Sequence, residues 1–139
     1  MMHKFSTMET VRQFLTAFSK ADKSLLDSLL TSHAYLRLRR DIGENVYRMR
    51  ANVGNALLTE RLRWGTGNLD IRDWTVEGNT VTVKFTVPEP GKLFFSAQVY
   101  VLTLTVHQEK VGAVTLHCGE EQAFPLPAWP VNRPAVVAV

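Results

Sequence analysis

The sequence predicts an α+β fold in which N-terminal helices pack on a curved, mainly antiparallel sheet. Near the N-terminus, apolar residues recur at the spacing of one helix face, in a stripe formed by Met8, Val11, Phe14, Leu15 and Phe18. Later segments alternate apolar and polar residues, which is typical of half-buried strands. Two long strand-forming segments, joined at Gln108-Glu109, lie farther along the chain. Helices followed by a run of strands indicate an α+β architecture.

Two helices are predicted before the first strand. Ser6 and Glu9 have the spacing of a capping box, so the first helix is expected from Thr7 to Lys20. Asp22 is a suitable N-cap for a second, leucine-rich helix that ends near Ser32. We expect these helices to cover one face of the sheet.

The segment over 34–40, AYLRLRR, is predicted to be the first strand. Leu36 and Leu38 share one face, and Arg37 and Arg39 share the other. We therefore expect the leucines to face the core.

Two interpretations fit the residues after this strand. In one, 41–45 form a turn and a helix runs from about Met49 to Leu62. In the other, LRLRR and VYRMR pair as a hairpin, and the helix starts after Arg50. Both interpretations place a helix in the same region.

A hairpin is predicted about Gly78-Asn79, because both residues accept positive φ in a two-residue turn. Its strands are expected over 69–77 and 80–87. The second strand alternates strictly, with the inward set Val81, Val83, Phe85 and Val87.

The segment from Leu93 to Val106 is long for a strand. Fourteen residues would span roughly 46 Å, so we expect a bend or a bulge. Both of its faces are apolar through the middle, so each face needs a cover. Helices can cover one face. A second subunit is the simplest cover for the other, which predicts a homodimer through the sheet face.

The turn at Gln108-Glu109 sets the register of the long strand pair. A two-residue turn would place Tyr100 opposite His117, with Gln98 on the same face. A three-residue turn would change the pairing and separate these side chains. Both registers remain open at this point.

The composition suits a single domain. The chain has 139 residues, 45% hydrophobic and 21% charged, and we expect one domain over 1–123 and an extended, proline-rich tail over 124–139. No run approaches the roughly 20 apolar residues of a membrane span. The N-terminal residues lack the apolar core of a signal peptide. The single cysteine, Cys118, fits a reducing, cytoplasmic setting, and neither metal-ligand spacing nor a cofactor motif is present.

Arginine is concentrated in one part of the chain. Eight of the ten arginines lie within 37–72, and no lysine does. Because arginine binds carboxylate or phosphate through a planar fork, Arg37, Arg39 and Arg48 are candidate anion-binding residues. The alternative is that these arginines lie on solvated faces and pair with nearby acids. The aromatic residues of a single-strand platform are missing, so no nucleic-acid partner is predicted.

Three stretches together carry a family resemblance. They are VRQFLTAFSKADKSLLDSLL, RDIGENVYR and the strand meander over 69–119. Their order and spacing resemble the nuclear transport factor 2-like superfamily, which includes SnoaL-like polyketide cyclases and ketosteroid isomerase. The resemblance covers about residues 6–120. It implies a sheet wrapped round a cone-shaped pocket that helices close, and commonly a homodimer.

The resemblance also implies candidate site residues. Asp41 stands where the isomerases have a general-base aspartate. Phe14 stands near their tyrosine oxyanion donor, and the second donor falls near Tyr100 or Leu102. Because neither Phe14 nor Leu102 can donate a hydrogen bond, steroid-type isomerisation is not predicted. His117 is a second acid–base candidate.

Two functions follow as hypotheses. In the first, the cone binds a small, largely apolar molecule with an anionic or carbonyl group, in contact with Phe14, Phe18, Gln98, Tyr100 and Leu102. Acid–base catalysis of the isomerase, cyclase or hydrolase type would be an extension of it. In the second, the protein is a non-catalytic dimeric module that presents its arginine-rich surface to an anion or a protein. A filled cone would favour the second.

Overall fold

The computed structural model describes residues 3–40, 43–63, 69–88 and 96–123. Three helices and six strands lie in these ranges: α1 (His3–Ser19), α2 (Lys23–Leu29), β1 (Leu30–Arg40), β2 (Gly43–Arg48), α3 (Arg50–Leu62), β3 (Asp70–Glu77), β4 (Thr80–Pro88), β5 (Ser96–His107) and β6 (Lys110–Ala123). The predicted tail over 124–139 and the candidate base Asp41 lie outside the described residues. Within the described ranges, no helix is long and apolar enough to cross a membrane.

The six strands form one sheet in the order β2-β1-β6-β5-β4-β3. β1 runs parallel to β6, and the other neighbours are antiparallel. The helices pack on one face, which we call the inner face, and the opposite face is the outer face. The predicted α+β arrangement on a mainly antiparallel sheet is therefore confirmed.

The two N-terminal helices form as predicted, with different ends. α1 begins at His3, so Ser6 lies inside the helix and the capping-box prediction is wrong. The Asp22 cap is confirmed, because its Oδ1 accepts a hydrogen bond from the Leu25 backbone N–H at 3.1 Å. α2 ends at Leu29 rather than near Ser32, since Leu30 already has extended backbone angles and begins β1.

The hairpin interpretation of the next segment is confirmed. β1 and β2 pair antiparallel, and α3 begins at Arg50. As predicted, Leu36 and Leu38 are buried, while Arg37 and Arg39 are exposed on the outer face. α3 packs against the inner face of this hairpin and contacts both β1 and β2.

The β3–β4 hairpin also matches its prediction. Gly78 has a φ of +64° in the turn, and Glu77 pairs with Thr80. The predicted inward set of β4 is buried, from Val81 to Val87. These side chains extend the apolar inner face toward the β3 edge.

The β5–β6 pair has the predicted two-residue turn but not the predicted register. His107 pairs with Lys110, and Val106 with Val111, but Thr105 then pairs with Ala113. Gly112 is thus an extra residue on β6, a β-bulge, and it shifts the pairs from Thr105 back to Tyr100 by one. A second register shift lies between Tyr100 and Gln98. A bend or bulge is predicted for the segment 93–106, whereas the extra residue Gly112 lies on its partner strand β6. The predicted pairing of Tyr100 with His117 is wrong.

The core lies between the inner face and the helices. Its largest fully buried side chains include Phe14 and Phe18 of α1, Leu57 of α3, Phe85 of β4 and Leu102 of β5. On the outer face of β5, Val101, Thr103 and Thr105 are half-buried. The long strand is therefore well covered on one side only by the described residues of this chain.

Candidate functional site

An open groove of about 630 Å³ lies between α3 and the β1–β2 hairpin, on the inner side of the sheet. We call it the α3 groove. The hairpin side contributes Leu38, Arg40, Asn45, Val46, Tyr47 and Arg48, and the helix side contributes Asn52, Asn55, Ala56, Thr59, Glu60 and Arg63. Nine of these twelve residues carry a polar or charged group, and their stems and the three aliphatic residues add apolar surface.

One face of α3 supplies the helix wall of the groove. The lining positions from Asn52 to Arg63 recur every three or four residues, which places them on one side of a helix. Val53 and Leu57 lie on the neighbouring face and are fully buried in the core. α3 therefore has a core face and a ligand-accessible face.

Glu60 lies where these two faces meet. Its carboxylate is 3% exposed. Its Oε1 accepts a hydrogen bond from Arg40 Nη2 at 2.5 Å and lies 3.7 Å from Arg63 Nη1. Its Oε2 accepts from the Tyr100 hydroxyl at 3.4 Å. A buried acid is thus held by three side chains from β1, β5 and the end of α3.

The Arg40 guanidinium is a permanent cation at the groove. The hydrogen bond that Arg40 donates to Glu60 raises the pKa of Arg40, burial lowers it, and the attraction of the Glu60 charge raises it further, so that the net change in this pKa is upward. Tyr100 is fixed from behind by Phe85, whose ring stacks on it with centroids 5.4 Å apart. The groove is therefore lined by a cation and a carboxylate, and the Tyr100 phenol supports the carboxylate from the core side.

Most of the predicted ligand contacts are core residues instead. Phe14, Phe18 and Leu102 are fully buried, and Tyr100 is 4% exposed. Gln98 is half-buried on the same sheet face as Tyr100. None of these five side chains belongs to the described lining of the α3 groove. Tyr100 reaches the groove indirectly, through Glu60.

The three predicted anion-binding arginines share the outer face of the β1–β2 hairpin, because Arg48 pairs with Tyr35, whose side chain lies on the same face as Arg37. Arg37 and Arg39 lie on the outer face and contact Glu44 at 3.1 and 3.5 Å. The Arg48 guanidinium lies 5.1 Å from the centroid of the Tyr35 ring, a cation–π contact. The alternative, in which the arginines pair with nearby acids, describes Arg37 and Arg39 correctly.

His117 lies away from the groove. It pairs with Val101 on β5 and is exposed, because the Gly112 bulge places it on the outer face. The predicted cluster of Gln98, Tyr100 and His117 is therefore wrong.

Arg40 and Glu60 were not singled out from the sequence. Glu60 follows Val53 and Leu57 at helical spacing, so a charged residue stood on the apolar stripe of the predicted helix. Arg40 continues the inward series of Leu36 and Leu38. An acid and a base on inward positions of two adjacent elements are a signal that could have been used.

A second, smaller groove of about 250 Å³ lies between α1 and the start of β3. Leu15, Leu69 and Ile71 give it a mainly apolar lining, to which Thr16 and Ser19 of α1 and the following Lys20 add polar groups. Within the described ranges, no cluster of three potential metal ligands is found. The α3 groove is thus the better-equipped of the two grooves.

The sequence matches no protein-family model and no curated protein. The structure is similar to a nuclear transport factor 2-like protein of unknown function from Cytophaga hutchinsonii, at 12% identity and a TM-score of 0.60, covering 81% of this chain and 89% of that one. It is also similar to a protein of Kribbella flavida that is provisionally named a ketosteroid isomerase. The identity is 19% and the TM-score 0.65, and the similarity covers 94% of this chain and 92% of that one.

A third similar structure is an LEH-like epoxide hydrolase of M. tuberculosis, with 14% identity and a TM-score of 0.62, covering 83% of this chain and 84% of that one. The chain therefore has the nuclear transport factor 2-like fold, an α+β cone, as the resemblance implied. At these identities the similarity establishes the fold and leaves the activity to be argued from the site.

Proposed function

We propose that this protein binds a small molecule in the α3 groove. The observation that carries the proposal is the groove itself, because its volume of about 630 Å³ falls within the roughly 300–1,000 Å³ that ligand sites occupy. The buried Glu60 and its partners lie at its base. Ligand sites commonly combine such a cavity with a few fixed polar groups.

The lining indicates a ligand with both polar and apolar parts. Asn45, Asn52 and Asn55 supply amides that can donate and accept hydrogen bonds. Leu38 and Tyr47 supply an apolar surface on the hairpin side. This ligand is more polar than the largely apolar molecule that the sequence suggested, because α3 and not α1 forms the helix wall.

The test is a fragment screen with a blocked groove. We expect ligand-observed NMR on a fragment library to give hits that bind the native chain. Asn55→Trp, at an exposed lining position, should abolish them by filling the groove. Ala51→Trp adds the same side chain at an exposed α3 position outside the lining and should retain them. Hits that survive Asn55→Trp would place binding elsewhere.

A second candidate function is acid–base catalysis in the same groove. The specific observation is the buried Glu60 carboxylate with the Tyr100 hydroxyl 3.4 Å away, since proton transfer in enzymes commonly uses a buried acid beside a ligand cavity. The names of similar proteins suggest epoxide opening and ketone isomerisation as reactions to try. Glu60→Gln should abolish any turnover of a small epoxide or an unsaturated ketone and retain binding of the neutral compound. Turnover that survives Glu60→Gln would remove Glu60 from the chemistry.

We also propose that the outer face joins two copies of the chain. One row across four strands is formed by Thr115, Thr103, Thr82 and Thr75. The outer-face residues Val101, Thr103 and Thr105 of β5 are only half-buried. Sedimentation should give a dimer for the native chain. Thr103→Arg should give a monomer, whereas Ser24→Arg on exposed α2 should not. A native monomer would contradict the proposal.

A further inference from the structure

We propose that the ligand of the α3 groove carries a carboxylate, which binds at the end of the groove between Arg40 and Arg63. This inference rests on the proposed binding function and specifies its ligand class. It follows from the charges and contacts of three lining residues.

The two guanidinium groups converge on one oxygen atom. Arg40 Nη2 and Arg63 Nη1 lie 2.5 and 3.7 Å from Glu60 Oε1. Because they share this contact, the two nitrogens lie within about 6 Å of each other, which is close enough for one carboxylate to bridge them. Glu60 holds together two cations that would otherwise repel each other.

The groove end has a surplus of positive charge. Among the lining residues, Glu60 is the acid that faces Arg40 and Arg63, so one negative charge is opposed by two positive charges. Arg40 stays charged at any working pH, since its contact with Glu60 favours the protonated form. A monoanionic ligand would neutralise the surplus.

Both guanidinium groups keep donors for a ligand. Each has five N–H groups, and the described hydrogen bond of Arg40 to a side chain uses Nη2 alone. The Arg63 side chain is 60% exposed, and the Arg40 side chain is 30% exposed. A planar oxyanion can therefore approach both from the groove without displacing Glu60.

The charge count favours a carboxylate over a phosphate monoester. A carboxylate carries one negative charge and matches the fork of a guanidinium group. A phosphate monoester carries close to two negative charges at neutral pH. Its additional negative charge would lie beside the Glu60 carboxylate and be repelled by it. The two anionic groups can be compared directly, because benzoate and phenyl phosphate carry them on the same phenyl ring.

The experiment compares charged and neutral probes of one shape. Titration calorimetry or NMR should show benzoate binding at least about tenfold more tightly than benzamide, and more tightly than phenyl phosphate, because only benzoate pairs with both arginines at matched charge. D-glucuronate and D-glucuronamide form a second pair, suited to the asparagine amides. Phenyl phosphate binding more tightly than benzoate would overturn the carboxylate assignment.

Arg63→Gln is the informative variant, because Arg63 is exposed and its loss should leave the fold intact. Benzoate affinity should fall about tenfold and benzamide affinity should not change. Arg12→Gln removes the same charge from an exposed position on α1 and should change neither. Glu60→Gln raises the surplus charge and should tighten benzoate binding alone.

The outcomes separate the inference from the function on which it rests. If benzoate and benzamide bind equally, and Asn55→Trp abolishes both, the groove binds ligands and the carboxylate inference is wrong. If Asn55→Trp affects no probe and no fragment, both proposals fail. If benzoate binding is insensitive to Arg63→Gln, the inference is overturned even where the groove is the site.

Discussion

The inner face of the sheet has two regions that differ in how they are covered. Under α1, large side chains such as Phe14 and Phe18 are fully buried against the sheet. Under α3, the side chains that face the β1–β2 hairpin are small or polar, such as Ala56 and Asn55, and a groove remains. The same sheet face thus provides a solid core at one end and a cavity at the other.

This difference moves the proposed ligand site from the α1 side of the sheet to the α3 groove. The cone was expected to hold a ligand beside Phe14, Phe18 and Leu102, but these residues form the core. A filled cone alone would favour a non-catalytic module. The polar α3 groove, with buried Glu60, keeps the ligand-binding hypothesis, because it supplies fixed polar groups at a cavity of suitable size.

The largest predicted effect tests whether the α1 region is a solid core. Phe18→Ala should lower the free energy of unfolding by about 3–5 kcal/mol, because it removes a fully buried ring and leaves a cavity. Asn55→Ala in the groove should change it by about 0.5 kcal/mol or less. Urea denaturation measures both. A loss below about 1 kcal/mol for Phe18→Ala would mean that the core is loosely packed there.

The next effect compares ion pairs on the two sheet faces. Arg40→Ala should lower the free energy of unfolding by about 2 kcal/mol, because it removes a partner from the buried Glu60 carboxylate. The loss should be smaller than for a fully buried ion pair, because the Arg40 side chain is 30% exposed. Arg37→Ala breaks an exposed pair with Glu44 and should cost about 0–1 kcal/mol. Equal losses in urea denaturation would show that Glu60 does not depend on Arg40.

A smaller effect concerns the side of α3 that packs against α2. Gly54 lies against Asp27 of α2, so an added methyl group would meet Asp27 Oδ1, while Oδ2 is held by Lys23 at 2.6 Å. Gly54→Ala should cost about 1 kcal/mol in the native chain. With Asp27→Ala present, it should stabilise by about 1 kcal/mol, because alanine favours the helix. A thermal-denaturation cycle of the four chains checks this reversal of sign.

The smallest effect concerns the contact that joins the core to the groove. Tyr100→Phe removes the hydroxyl from Glu60 and keeps the ring stacked on Phe85. Because the hydrogen bond is long, at 3.4 Å, the loss of stability should be about 0.5 kcal/mol. A loss above about 2 kcal/mol would indicate that the hydroxyl is essential for holding the buried carboxylate.

Local patterns predicted much of the fold, and long-range contacts defined most of the site. The stripe of α1, the Asp22 cap and the Gly78 turn depend on residues close in sequence, and the structure confirms them. The Arg40–Glu60 contact joins residues twenty positions apart, and helical or strand periodicity does not show which inward charges meet. The face of His117 could not be predicted, because local patterns do not show that Gly112 is left unpaired in the ladder.

Gly112 affects the curvature of β6 without changing which of its later side chains face inward. Without Gly112, Val111 and Ala113 would be consecutive, and they already pair with the consecutive residues Val106 and Thr105. Loss of this one codon would therefore leave every later side chain of β6 on its present face and would mainly straighten the strand. The curvature of the wall behind the core can thus evolve by single-residue insertion or deletion, while the identity of the residues that face inward is preserved.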